Sequence, residues 1–529
     1  MRQHHRTLRL LGSLLLVAMG VSATGAAPAP AASPTPLDRV VPAPASVAPS
    51  GSAYRITRGT HIRVDGSRET RRIGEYLAKI LRPSTGYRLP VTDQGAGGIR
   101  LRLAQGPFGA EGYRLDSGSK GVTITAAGPA GLFHGVQTLR QLLPAAVEKD
   151  SVQPGPWLVA GGTVTDTPRY GWRGAMLDVS RHFFTVDQVK RYIDQLALYK
   201  INKLHLHLSD DQGWRIAIDS WPRLATYGGS TEVGGGPGGF YTKADYKEIV
   251  RYASSRYLEV VPEIDMPGHT NAALASYAEL NCDGVAPPLY TGTEVGFSSL
   301  CVGKEITYDF VDDVVRELAA LTPGKYLHIG GDEAHSTSHE DYVAFMDRVQ
   351  PVVAKYGKTV VGWHQLTGAT PAKGALAQYW GLDSTSAEEK ARVAKAAQSG
   401  TGLILSPADR VYLDMKYTED TPLGLSWAGY VEVKRSYDWD PGAYLPGVPG
   451  GAVKGVEAPM WSETLENSRH IEFMAFPRLP GVAELGWSSA ASHDWSRYKV
   501  RLAAQAERWD ALGIEWYRSP QVPWGSAGR

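Results

Sequence analysis

The sequence predicts an α/β protein, a (β/α)8 barrel preceded by a small α+β domain, and three observations carry that reading. Beyond residue 168, eight short apolar runs alternate with segments of helical periodicity over roughly 300 residues, the size and pattern of a (β/α)8 barrel. Before it, over 54–165, strand-like alternation and two amphipathic helical stretches occur without that regular strand-then-helix order. No Gly-rich phosphate loop follows any of the runs, which argues against an open doubly wound sheet.

The chain begins with a basic stretch (Arg2, His4, His5, Arg6, Arg9), then an apolar run over 10–21 and small residues through Ala32. This is the order of a secretion signal, assigned to 1–32, and the run is too short to span a bilayer comfortably. No cysteine lies near it to carry a lipid anchor, so the mature protein is expected to be exported and soluble. The Pro/Ala/Ser-rich segment 33–53 reads as a flexible leader.

In 54–165, Ile99, Leu101 and Leu103 alternate with arginines, and Val122 and Ile124 with threonines, as in strands with one buried face. Ile73, Leu77, Ile80 and Leu81 share a helical face, as do Leu132, Val136, Leu139, Leu142 and Leu143. No constellation of catalytic side chains occurs there, so 54–165 reads as a supporting domain to the catalytic barrel at 166–529.

The eight candidate strands fall at 174–179, 203–208, 258–264, 326–329, 360–363, 376–380, 402–405 and 456–461. Two intervening helices announce themselves: 185–199 opens with a Thr-x-x-Gln capping box, and 242–256 places Tyr246, Ile249, Val250 and Ala253 on one face. The only cysteines, Cys282 and Cys301, flank a stretch rich in Gly, Pro, Ser and Thr. In an exported chain that spacing predicts a disulfide closing a long surface loop, with no part in the chemistry.

Composition narrows the function. With 43% hydrophobic and 21% charged residues and a net charge of +1, the chain is an ordinary globular protein. The overall charge gives no sign of nucleic-acid or anionic-membrane binding. Fourteen tryptophans are many, and indoles suit the flat apolar faces of sugars.

Active sites of such barrels lie at the C-terminal strand ends, and the residues there are a concentrated set. They are Arg181 and His182, Asp210 and Asp211, Glu263, Asp265 and His269, Asp332 and Glu333, Trp363 and His364, Trp380, Tyr412 and Asp414 with Trp427 beyond, and Trp461, Ser462 and Glu463. Acids for proton transfer beside indoles for stacking point to a carbohydrate site. The Gly330-Gly331-Asp332-Glu333 turn is the sharpest signal: two glycines allow close approach, and adjacent acids that repel each other push at least one pKa upward, as a general acid needs. His205-x-His207 raises the alternative of a metal-dependent barrel hydrolase, but the pair lies inside the second strand and further ligands are not in place around it. No metal or other cofactor is expected.

The segments LDVSRHF (177–183), HLHLSDDQGWR (205–215), EIDMPGH (263–269), HIGGDE (328–333) and APMWSE (458–463) resemble glycoside hydrolase family 20, the exo-acting β-N-acetylhexosaminidases. The resemblance covers the chain after the leader, because that family also carries a small α+β domain before its barrel. It implies hydrolysis of terminal β-linked N-acetylglucosamine or N-acetylgalactosamine, on chitooligosaccharides or glycan termini, with the substrate's acetamido group as nucleophile. It implies Glu333 as general acid and base, Asp332 as acceptor from the acetamido N–H, and Tyr412 as donor to its oxygen. Trp363, Trp380 and Trp461 would box the acetamido methyl, with Trp427 stacking on the sugar or its aglycone. Arg181, Glu463 and Asp414 would hold the sugar hydroxyls, while Asp210, His269 and, more remotely, Asp265 would orient and tune Glu333.

Overall fold

The structure is a computed structural model and describes residues 33–95 and 98–525, so the expected secretion signal lies outside the described residues. The N-terminal part contains β1 (Ser46–Pro49), β2 (Tyr54–Ile56), β3 (Ile62–Arg63), helix α1 (Arg68–Thr85), β4 (Val91–Thr92), β5 (Gly98–Leu103), β6 (Tyr113–Gly118), β7 (Gly121–Ala126), helix α2 (Pro129–Leu142), β8 (Trp157–Val159) and β9 (Gly162–Asp166). Seven of these strands form one mixed sheet in the order β1-β9-β6-β7-β5-β3-β4, and β2 pairs with β8. Helices α1 and α2 pack on one face of the sheet, where Ile99, Leu101, Val122 and Ile124 are buried beside Ile73, Leu77, Leu132 and Val136. Helix α1 starts where the Ser67 side chain accepts from the Thr70 N–H and stops at Gly86, whose φ of +67° suits a residue without a Cβ.

One expectation fails here. The segment 33–53 is no free leader: Leu37, Val40 and Val41 are buried, and β1 pairs antiparallel with β9. Its Pro/Ala/Ser composition hid a short edge strand, a position where proline is tolerated because one side of the strand needs no donors.

The barrel closes from eight parallel strands: β10 (Trp172–Asp178), β11 (Lys203–His207), β12 (Glu259–Glu263), β13 (Tyr326–His328), β14 (Thr359–Trp363), β15 (Leu376–Tyr379), β16 (Gly402–Leu405) and β17 (Val453–Ala458). Strand β17 pairs with β10 to complete the ring. Helix α3 (Val186–Leu198) carries the expected capping box between Thr185 and Gln188, and Lys243–Ser255 carries another between Thr242 and Asp245. No helix among the described residues is long and apolar enough to cross a membrane.

The bottom of the barrel is fixed to the N-terminal sheet by buried charge. Lys200, fully buried, lies 3.0 Å from Asp166, whose other oxygen accepts from the Trp487 indole, and Arg173 pairs with Glu111 at 2.6 Å. These contacts leave the opposite, C-terminal rim open for a site.

Candidate active site

Strand β13 ends at His328, and the chain then turns through Gly330 and Gly331 at φ +64° and +99°. The reason for glycine is steric: a Cβ on Gly330 would stand 1.7 Å from an Asp265 carboxyl oxygen, and that oxygen accepts the Gly331 N–H at 3.0 Å. The turn delivers Asp332 and Glu333 to the rim. Glu333 at φ +44° and His269 at φ +54° both occupy the left-handed region, which costs a side-chain-bearing residue free energy. These two strained residues face each other, with His269 Nε2 3.3 Å from Glu333 and 3.8 Å from Asp332.

Behind them runs a continuous buried chain of acids and imidazoles. His269 Nδ1 lies 3.2 Å from Asp210, which also pairs with His207 Nε2 at 2.7 Å. The other His207 nitrogen meets Glu263, Glu263 meets His205 Nε2 at 2.9 Å, and His205 Nδ1 meets Glu457 at 2.8 Å. Burial lowers the pKa of His205, but Glu263 and Glu457 outweigh it and raise it to about 9. Burial likewise opposes charge on His269, yet Asp210 and Asp332 hold its pKa well above the ordinary imidazole value. Among the described residues several His/Asp/Glu groups lie close enough to share a cation, including His205 with Glu263 and His328. Both ring nitrogens of His205 and of His207 already meet carboxylates, so neither histidine presents a free lone pair to a metal.

The electrostatics agree with the expectation that at least one of the adjacent acids is raised, and they identify which. Adjacent acids do shift each other, but the raised group is Asp332, pushed to about 6 chiefly by burial and also by Glu333, while Asp265 is raised well above the carboxylate range by burial and by Asp332. Burial raises Glu333 too, but the His269 imidazolium and Arg181 more than offset it and leave Glu333 below its ordinary value. Tyr412 is pushed well above 10 by burial and by Asp332, so it keeps its proton and remains a donor.

Opposite the acids, Arg181 is buried and held by Asp210 at 2.9 Å, Asp178 at 3.4 Å and Gln212 at 3.1 Å, with its guanidinium 4.8 Å from the Trp461 ring centre. A cavity of about 210 Å³ opens between them, with Trp380, Trp427 and Trp461 in its walls beside Tyr412 and Glu463. The rings stand nearly square to one another: Tyr412 and Trp427 are 5.8 Å apart at 83°, Trp380 and Trp427 6.0 Å apart at 80°. Trp363 is fully buried instead, backing Trp461 at 5.7 Å and donating to Glu263 at 2.9 Å. Asp210 and Asp414 also lie behind the surface rather than in it. Buried oxygens of Asp332, Asp414 and Glu463 have no partner on the protein, which leaves acceptors available to a ligand.

Comparison with known proteins follows this geometry. The model of the glycosyl hydrolase family 20 catalytic domain matches residues 170–490, and that of its domain 2 matches residues 38–167. The chain belongs to glycoside hydrolase family 20. A β-N-acetylhexosaminidase of Cellulomonas fimi is 43% identical over 90% of this chain and 95% of its own length. The solved GH20 β-N-acetylhexosaminidase of Streptomyces coelicolor A3(2) is 80% identical, covering 93% of this chain and all of that one with a TM-score of 0.93. A mutant Streptomyces plicatus β-hexosaminidase in complex with its product GlcNAc is also 80% identical, covering 93% of this chain and 99% of that one, at the same TM-score. This family 20 protein is therefore a glycoside hydrolase with β-N-acetylhexosaminidase relatives along nearly its whole length.

Sequence reasoning missed several members of the site. Asp178 and Gln212, which clamp Arg181, have no assigned role in the sequence reading; their signal is position, Asp178 three residues before Arg181 at the end of β10 and Gln212 beyond the neighbouring β11. Thr293, Val295 and Leu425 line the cavity, and the first two come from the loop closed by the Cys282–Cys301 disulfide, whose Cα atoms are 4.9 Å apart. The disulfide has no expected part in the chemistry, but the loop that it closes contributes to one wall of the cavity.

Proposed function

We propose that this enzyme removes terminal β-linked N-acetylglucosamine or N-acetylgalactosamine, from chitooligosaccharides or glycan termini, by substrate-assisted retaining hydrolysis. One observation carries the mechanism. Asp332 and Glu333 both reach the same nitrogen of His269, so they stand on one side of the cavity and do not flank a glycosidic bond as an acid and a nucleophile must. The substrate then supplies the nucleophile. Its acetamido oxygen forms a bond to the anomeric carbon while the bond to the leaving oxygen breaks, and that oxygen takes the proton of Glu333. Asp332, with an unpartnered buried oxygen, accepts from the acetamido N–H and offsets the positive charge of the oxazolinium, while Tyr412 donates to the acetamido oxygen. Water next attacks the anomeric carbon, Glu333 takes its proton, and the acetamido group is restored with the β configuration retained. Clamping a tethered nucleophile draws on the large rate advantage of intramolecular orientation.

Trp380, Trp427 and Trp461 supply apolar walls, Arg181 and Glu463 bind hydroxyls, and Asp414 beneath them offers further acceptors. The cavity is smaller than the roughly 300–1,000 Å³ of sites for larger ligands, which suits one terminal sugar and exo action. The product seen with the Streptomyces plicatus relative is the same sugar class. Export is proposed from the signal-like 1–32, and the disulfide is compatible with it.

Turnover of an aryl N-acetyl-β-glucosaminide beside the plain β-glucoside, with a fluorosugar trap and a thiazoline analogue, tests the reading. The glucoside should be inert, the thiazoline a tight inhibitor, and no covalent glycosyl-enzyme should form. A trapped ester on any carboxylate would place the enzyme in the two-carboxylate class instead.

A further inference from the structure

Among the described residues, no helix covers the outer face of the N-terminal sheet. Helices α1 and α2 cover the other face, and what remains is a grid of polar side chains at strand spacing. One line of paired positions crosses five strands as Arg63, Arg100, Thr123, Asp116 and Thr163, and a second crosses four as Arg102, Thr125, Arg114 and Thr165. Neighbours along a line are about 4.8 Å apart, and the two lines lie roughly 6.7 Å from each other. A shallow groove of about 600 Å³ runs along this face past Lys120.

Charge on the face is strongly unbalanced. Arg114 is satisfied by Asp116 at 2.8 Å, the only carboxylate lining the groove. Among the described residues the side chains of Arg100, Arg102 and Lys120 are exposed and make no hydrogen bond or ion pair with the protein. Along the two lines and at Lys120, five basic side chains, Arg63, Arg100, Arg102, Arg114 and Lys120, stand against one carboxylate, Asp116, inside a chain whose total is +1. Segregated positive charge on one surface, with a net near zero overall, is the arrangement that steers a polyanion to one place.

We propose that this sheet face is a binding site for an acidic polysaccharide, separate from the catalytic cavity. The partner's chemistry follows from the grid. Arginine forks match carboxylates bidentately, and the interleaved threonine hydroxyls can exchange hydrogen bonds with sugar hydroxyls. No aromatic side chain lines the groove, so it lacks both the stacking platform on which neutral sugars are held and the one that single-stranded nucleic acids use. The site would hold the enzyme on an anionic glycan matrix while the barrel cleaves neutral chain ends.

Retention of the full-length protein on immobilised polygalacturonate tests this, with the fully methyl-esterified polymer as neutral control and single-stranded DNA as phosphodiester control. The wild type should be retained on polygalacturonate at low ionic strength, be released as salt rises, and pass through the esterified matrix. The R100Q/R102Q/K120Q variant should bind at least tenfold more weakly with an unchanged melting curve and unchanged turnover of an aryl N-acetyl-β-glucosaminide, and R100K/R102K, which keeps the charge but loses the fork, should fall between the wild type and the triple variant. A wild type that is not retained, a triple variant retained equally well, or DNA binding as tight as polygalacturonate would each overturn the proposal. Because retention is read without turnover, its failure is distinct from failure of the catalytic mechanism.

Discussion

Arg181, three residues beyond the end of β10, and Arg100, within β5, are treated by the molecule in opposite ways. Arg181 at the barrel mouth is buried, fixed by Asp178, Asp210 and Gln212, and stacked near Trp461. Arg100 on the N-terminal sheet is exposed and makes no contact of that kind among the described residues. A closed barrel forces its strand ends to converge, so every charge there must be matched by another at close range or be neutralised. An open sheet face lets charges stand in water and stay mobile. The first arrangement suits a reaction that tolerates little misplacement; the second suits reach toward a flexible chain.

The largest loss expected at the convergent site comes from Glu333→Gln. It should leave folding intact but lower turnover of substrates with poor leaving groups by several orders of magnitude, with a smaller loss on activated aryl glycosides in the intermediate-forming step. Single-turnover rates across a leaving-group series measure this, and a uniform loss would remove Glu333 as the acid. Next comes Tyr412→Phe, which takes one donor from a developing charge and should cost about 3 kcal/mol, or a hundredfold or more in kcat. Ground-state affinity should change far less, so a rise in KM with kcat preserved would count against that role.

The tryptophans divide along the same line between fixed and free. Trp363 is fully buried and donates to Glu263, so Trp363→Ala should destabilise the fold by about 3–5 kcal/mol in denaturant titration. Trp427 is 50% exposed, and Trp427→Ala should leave stability within roughly 0.5 kcal/mol while weakening sugar affinity by about 1–3 kcal/mol. Equal losses of stability in the two variants would erase the distinction.

Legibility in the sequence followed the same physics. The eight barrel strands were readable because each is buried on both faces and reads as an apolar run, and the rim residues because they follow those runs directly. Strand β1 was not readable: its edge position permits proline and exposed residues, so Ser46–Pro49 carries no strand signature. Trp363 is expected in the cavity wall because it ends a strand, but sequence gives no depth: Trp363 is fully buried, and Trp461, three residues beyond β17, is the one that lines the cavity. The pairing of charges was hidden too. The His269 contact that lowers Glu333 joins residues from different strand ends, and only the closed ring brings them within 3.3 Å.

That contact yields the most delicate expectation. Asp332 and Glu333 titrate as a pair, and the competent state has one proton between them, on Glu333 at the moment of leaving-group protonation. The pair's last proton is held chiefly by Asp332, whose pKa of about 6 is raised by burial and by Glu333. With the higher pKa on the pair at about 6, the one-proton state is lost as pH rises through that value. For the free enzyme, kcat/KM on a substrate with a poor leaving group, such as a chitooligosaccharide, should therefore fall above about pH 6. In Asp332→Asn the remaining proton belongs to Glu333 alone, which the His269 imidazolium keeps below its ordinary value, so the falling limb should move to lower pH along with the loss of rate. A limb that stays near pH 6 in Asp332→Asn would show that a group outside the pair sets it, and His269 and the buried relay behind it would be the next residues to titrate.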